Sequence, residues 1–175
     1  TSRCALAQGA MGNSYACHAE IEKAHNLLDH PKTLANKPPQ VSWLSSEMVE
    51  THSSEALLAL AQKSSRDTHL LVAEAEKFLT PHMENTSGFR HNFPRDILLR
   101  GSYLASGYVR SGELDQGVTI GKTLLNLAPS VRSQRVTTVL RRLSSELNCH
   151  RSAQRTPYVA EFSESLQRSL AATAI

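Results

Sequence analysis

At 175 residues the chain is one domain's worth of sequence, long enough to bury a core without disulfides or bound metal. Hydrophobic residues make up 40% but aromatic residues only 5%, and the apolar content is mostly Leu and Ala, a bias toward helix over strand. The formal net charge of +3 is unevenly spread: residues 130 to 155 carry +5, whereas residues 1 to 129 carry −1.

Three cysteines, Cys4, Cys17 and Cys149, are too few and too scattered for a disulfide framework, and none belongs to a CxxC pair. A reducing cytoplasm is therefore the expected compartment. No apolar run approaches the roughly 20 residues of a membrane span, and no charged-then-apolar signal opens the chain. The opening TSRCALAQGAMG lacks a methionine and reads as already helical, so the expectation is a fragment of a longer protein.

The predicted elements are all helices, taken in order as three hairpins and two closing helices. The first hairpin, about 1 to 29, turns at Gly12, with Cys17, Ile21 and Ala24 at the repeat's inner positions of its second helix and Leu27 near its end. A linker with Pro31, Pro38 and Pro39 follows. The second hairpin, about 41 to 80, has a stripe of Trp43, Leu44, Met48, His52, Ala56, Leu57, Leu60 and Ala61. It turns at residues 64 to 67 and continues with Leu71, Ala75, Phe78 and Leu79 before Pro81. The stretch PHMENTSGFRHNFP then reads as a loop.

The third hairpin, about 94 to 129, is the most regular. Gly101, Leu104, Ala105 and Tyr108 form an i, i+3, i+4, i+7 stripe, and Leu114, Gly117, Val118, Gly121, Leu124, Leu125 and Ala128 form the facing one. Gly117 and Gly121 each sacrifice about 1 kcal/mol of helix propensity, which marks close helix approach. A helix at about 131 to 148, beginning after Ser130, carries the seam Val136, Val139, Leu140, Leu143 and Leu147. A last one, about 157 to 172, starts at Thr156-Pro157 and carries Val159, Phe162, Leu166 and Leu170. These two are expected to cap the array.

Leu104, Ala105, Tyr108, Gly112 and Pro129 stand where a tetratricopeptide repeat has its leucine, small residue, tyrosine, turn glycine and closing proline, and the segment resembles that repeat. It departs from it at Gly101, Ala105, Gly117 and Gly121. The order of segments also resembles the C-terminal repeat region of actinobacterial, Streptomyces-type helix-turn-helix transcriptional regulators. The carrying residues are Arg100, Tyr103, Leu104 and Ala105, then Ser111-Gly112-Glu113, then Ser133, Arg135, Val136, Leu140, Leu143 and Leu147. The resemblance implies an all-α, tetratricopeptide-like α-solenoid used for sensing and self-association, with DNA read by a separate N-terminal domain.

A stacked array of this kind would present a concave groove for a peptide, a small ligand or a partner protein. By analogy with the repeat, Trp43, Ser102, Ser106, Val109 and Arg110 are its candidate residues, Arg110 as an anchor for carboxylate or phosphate. Arg132, Arg135, Arg141 and Arg142 form a candidate basic patch, facing phosphates or an acidic partner. The alternative is a solvated helix face whose arginines pair with Glu and Asp on the neighbouring hairpin.

No catalytic residue is assigned: there is no nucleophile elbow, P-loop or dinucleotide fingerprint, and the serines sit on helix faces and in caps. No metal or other cofactor is expected, since the eight histidines lack ligand spacing. The functional expectation is a non-catalytic, ligand- or peptide-sensing, homodimerising domain of a cytoplasmic bacterial transcriptional regulator. The alternatives are an interaction adaptor with no DNA-binding neighbour, and direct nucleic-acid binding through the arginines.

Overall fold

The computed structural model of the protein describes residues 1–30, 45–64, 66–84, 94–131, 133–150 and 155–172. Every regular element among these residues is helical. They are α1 (Ser2–Met11), α2 (Ser14–Asp29), α3 (Ser46–Ala61), α4 (Thr68–Glu84), α5 (Pro94–Ser111), α6 (Leu114–Leu127), α7 (Gln134–Cys149) and α8 (Pro157–Ala172), with a 3-10 turn at Ala128–Ser130. Where the sequence pattern reads as one continuous array, the chain divides into two compact units, Thr1–His82 and Met83–Ile175. No helix among the described residues is long and apolar enough to cross a membrane.

In the first unit, α1 and α2 form a hairpin because Gly12 takes a left-handed conformation, φ 79°. Gly12 N donates to Gly9 O at 3.0 Å and Asn13 N to Gln8 O at 3.0 Å, which closes α1 and reverses the chain. Asn13 then caps α2, its side-chain oxygen accepting from Ala16 N at 3.2 Å. Leu27, near the end of α2, is left exposed. Helix α3 packs on α1 and α2, and Gly9 is the reason α1 comes so close. A Cβ there would overlap the Ala56 carbonyl oxygen and lie 3.2 Å from its carbon.

Helix α3 is the centre of this unit and is buried on most sides, with Val49, Ala56, Leu57, Leu58, Leu60 and Ala61 inside beside Thr51, Ser53 and Ser54. It starts at the cap Ser45, whose hydroxyl accepts from Met48 N at 3.3 Å. Trp43 and the proline linker lie outside the described residues, as do residues 85 to 93 of the second linker. Before α4 the Thr68 hydroxyl donates to Ser64 O, and Asp67 N donates to the Ser64 hydroxyl at 3.3 Å. Helix α4 does not stop before Pro81 but runs to Glu84. A proline so near a helix end removes a single backbone donor, and that loss is small beside the packing of the preceding turns.

The second unit repeats the hairpin one hundred residues on. Gly112 is left-handed at φ 87°, Gly112 N donates to Val109 O at 3.2 Å, and Glu113 N donates to Tyr108 O at 2.9 Å. Helix α7 packs on α5, and α8 packs on α6 and α7. One core joins them, built from Leu98, Val109, Val118 and Leu124 of the hairpin with Leu143, Leu147, Val159, Phe162 and Leu166. The seam of α7 is buried as its periodicity requires.

The cap of α7 and the role of Gly121 differ from expectation in this unit. The residue at the start of α7 is Ser133, while the Ser130 hydroxyl donates to Leu127 O at 2.7 Å and closes the 3-10 turn. Gly117 does mark a close α5–α6 approach, since a Cβ would stand 3.0 Å from Val109 Cγ2 and 3.2 Å from Ala105 O. Gly121, however, makes room for the ring of Phe162, whose Cε1 would be 2.8 Å from an added Cβ. Helix α8 is thus keyed into the core by a large side chain and does more than cover an end.

Candidate functional site

Most of the residues expected to line a groove are inside the protein. Ser102, Ser106 and Val109 are all buried. The Ser102 hydroxyl donates to Leu98 O at 2.6 Å, four residues back, so its polarity is absorbed by its own helix. Val109 joins the apolar core and packs over Gly117. These three side chains therefore present no surface to a ligand, and only Arg110 of the described candidates on α5 reaches solvent.

Arg110 lies in the last turn of α5, where a cation is favoured by the helix dipole. Its Nε and Nη2 donate to one oxygen, Oε1, of Glu146 on α7, at 2.8 and 2.7 Å. Arg142, one turn before Glu146, donates its Nε to that same oxygen at 3.0 Å. The Glu146 side chain is only 12% exposed, whereas the two arginines are 34% and 39% exposed. Its second oxygen, Oε2, is shut off from solvent and accepts no hydrogen bond among the described residues.

The candidate basic patch is thus partly neutralised. Arg142 and Arg110 share one carboxylate, but it is Glu146 on Arg142's own helix and not an acidic residue of the neighbouring hairpin. Arg135 and Arg141 are exposed on α7, and Arg132 lies outside the described residues. The Arg142–Glu146 pair was readable as i, i+4 on a predicted helix. The Arg110 pair, thirty-six residues apart, was not.

Two histidines of the first unit lie within hydrogen-bond reach of a serine hydroxyl: His52 Nδ1 is 3.2 Å from Ser2 Oγ, and His25 pairs with Ser53 in an arrangement unsuited to a nucleophile. His25 Nε2 is 3.3 Å from the Ser53 hydroxyl, but that hydroxyl donates to Val49 O at 2.8 Å. The serine proton is committed to the backbone, so the imidazole must be the donor, the reverse of what a serine nucleophile needs. The His25 ring also stacks on Phe78, centroids 5.5 Å apart. Ser54 and Thr51 likewise donate to backbone carbonyls.

His18 Nδ1 lies 2.8 Å from Ser14 O and its Nε2 3.4 Å from Glu74 Oε2, tying α2 to α4. Beside it Cys17 is buried, and its thiol is pushed up by burial first and by the Glu74 charge second. No three His, Cys, Asp or Glu residues among those described could together hold a metal ion.

One cleft, of about 220 Å³, opens between α7 and α8 and is lined by Leu147, Asn148, Val159, Ala160, Ser163, Glu164 and Gln167. Asn148 Oδ1 accepts from the Ser163 hydroxyl at 3.2 Å and from Gln167 Nε2 at 3.5 Å, so its polar wall is already engaged. Its size is below the roughly 300 Å³ at which small-molecule sites begin.

No family model, curated protein or solved structure matches this chain.

Proposed function

We propose that the chain is a non-catalytic, tetratricopeptide-like helical module that senses a ligand or peptide and self-associates within a cytoplasmic bacterial transcriptional regulator. One observation carries the reading: the hairpin closed by a left-handed glycine recurs at Gly12 and Gly112, with α3 packed on the first copy and α7 and α8 on the second. Scaffolds of repeated hairpins bury their apolar faces against one another and leave their polar surfaces for recognition. With Ser102, Ser106 and Val109 inside, the recognition surface on α5 and α7 is the Arg110–Glu146–Arg142 group and the exposed arginines beside it.

Helix-turn-helix sequence in the coding region upstream is the first test. Its presence supports the regulator, and its absence favours the adaptor reading, in which the same surface meets another protein. Light scattering on the purified chain checks self-association: a dimer at micromolar concentration supports it, and a monomer throughout removes that part. Calorimetric screening of host peptides and metabolites against the full-length protein checks sensing, which uniform absence of binding would sink.

A further inference from the structure

Glu146 is the one acidic residue between positions 130 and 155, and its placement decides what the surrounding cations can do. One oxygen takes three N–H groups from two arginines, and the other faces inward without a partner among the described residues. The anion of this group is therefore covered while its two cations reach water. Two arginines against one carboxylate leave the group net positive, and Glu146 Oε2 is shut off from solvent.

The arginine forks are also held in place. Arg142 spends only its Nε on Glu146, and Arg110 spends Nε and Nη2. Arg110 and Arg142 are 34% and 39% exposed, so part of each guanidinium is left to solvent. A guanidinium anchored along one edge and partly exposed has already lost the rotamer freedom that a free arginine loses on binding. Arg135 and Arg141, exposed on the same helix, add positive potential without sharing Glu146.

We infer that Arg110 and Arg142 together bind a phosphate group, with Glu146 as the residue that positions them. This rests on reading the chain as a binding module and names the ligand class of its α5–α7 surface. Phosphate fits better than carboxylate because two forks from two helices present more N–H groups than two oxygens can use. A tetrahedral phosphate offers an additional acceptor and up to two negative charges to a site that lacks one.

The test follows the arginine Nε–H signals of the intact chain by NMR during titration with inorganic phosphate at low ionic strength, with acetate in parallel and a short DNA duplex as a third arm. Saturable shifts of Arg110 and Arg142 with phosphate, about tenfold weaker with acetate, support the site. Arg142→Lys, which keeps the charge and loses the fork, is expected to weaken phosphate several-fold, and Lys122→Gln on α6 to leave it unchanged.

Absence of saturable shifts in the wild-type chain at millimolar phosphate overturns the inference. So does equal weakening by Lys122→Gln, which would mean diffuse attraction, or a response to DNA alone, which would place the surface with the nucleic-acid backbone. A regulator reading that fails through its upstream sequence or its partner screen leaves the phosphate titration readable by itself.

Discussion

Replacing Gly9 with alanine tests the close approach of α1 to α3 in the first unit. Alanine in mid-helix gains about 1 kcal/mol of propensity over glycine, so an exposed site would be stabilised. At Gly9 the added methyl overlaps the carbonyl oxygen of Ala56 and stands 3.2 Å from its carbon and 3.4 Å from Leu60 N. These are backbone atoms of α3, with no rotamer into which to retreat, so α1 must move away by about 1 Å or the helix must distort. Overpacking of this kind costs about 1–3 kcal/mol, and a backbone obstacle puts it at the top of that range.

Net of propensity, Gly9→Ala is expected to destabilise by about 2 kcal/mol. For a unit of this size that lowers Tm by about 8–16 °C, read by circular dichroism melts with a urea titration beside them. Gly101→Ala is the control of opposite character: its obstacle is Leu124 Cδ2 at 2.6 Å, the far end of a side chain, and its loss should be clearly smaller. A Gly9→Ala protein as stable as wild type, or more so, would refute the account of α1–α3 packing.

Gly112→Ala meets no atom within 4 Å but keeps φ at 87°, so its expected cost of about 1 kcal/mol is conformational, and Gly112→Asn should recover part of it in the same melts. Cys17 predicts an alkaline limit. Because its folded thiol is raised, its contribution is fully present below the ordinary value of 9.0 and is lost as pH climbs through the folded value. Stability should therefore fall above pH 9.0 by an amount that Cys17→Ala abolishes, a result checked by urea midpoints across that range. The Arg110–Glu146 pair, partly exposed, should show a coupling of about 0.5–1 kcal/mol in a double-mutant cycle that shrinks in high salt.

Local chemistry was legible along the chain wherever a residue's backbone or its period carried the meaning. Gly12 and Gly112 read as turns because only a residue without Cβ sits easily at positive φ. The α7 seam read correctly because one helical face is apolar over four turns and the other is not. The same logic failed for Ser102 and Ser106, since a serine that bonds to its own helix can be buried at little cost, and periodicity counts it as polar. Nothing near Gly9 in sequence reveals that Ala56 lies against it.

The chain alone thus settled its helical class, its two glycine turns and which face of α7 goes inward, all consequences of forces acting within a few residues. Long-range packing settled the rest: the division into two units, the seat of Phe162 on Gly121, and the meeting of Arg110 with Glu146 across thirty-six residues. Each of those depends on which surfaces exclude water together, and that is a property of the folded chain rather than of any segment of it.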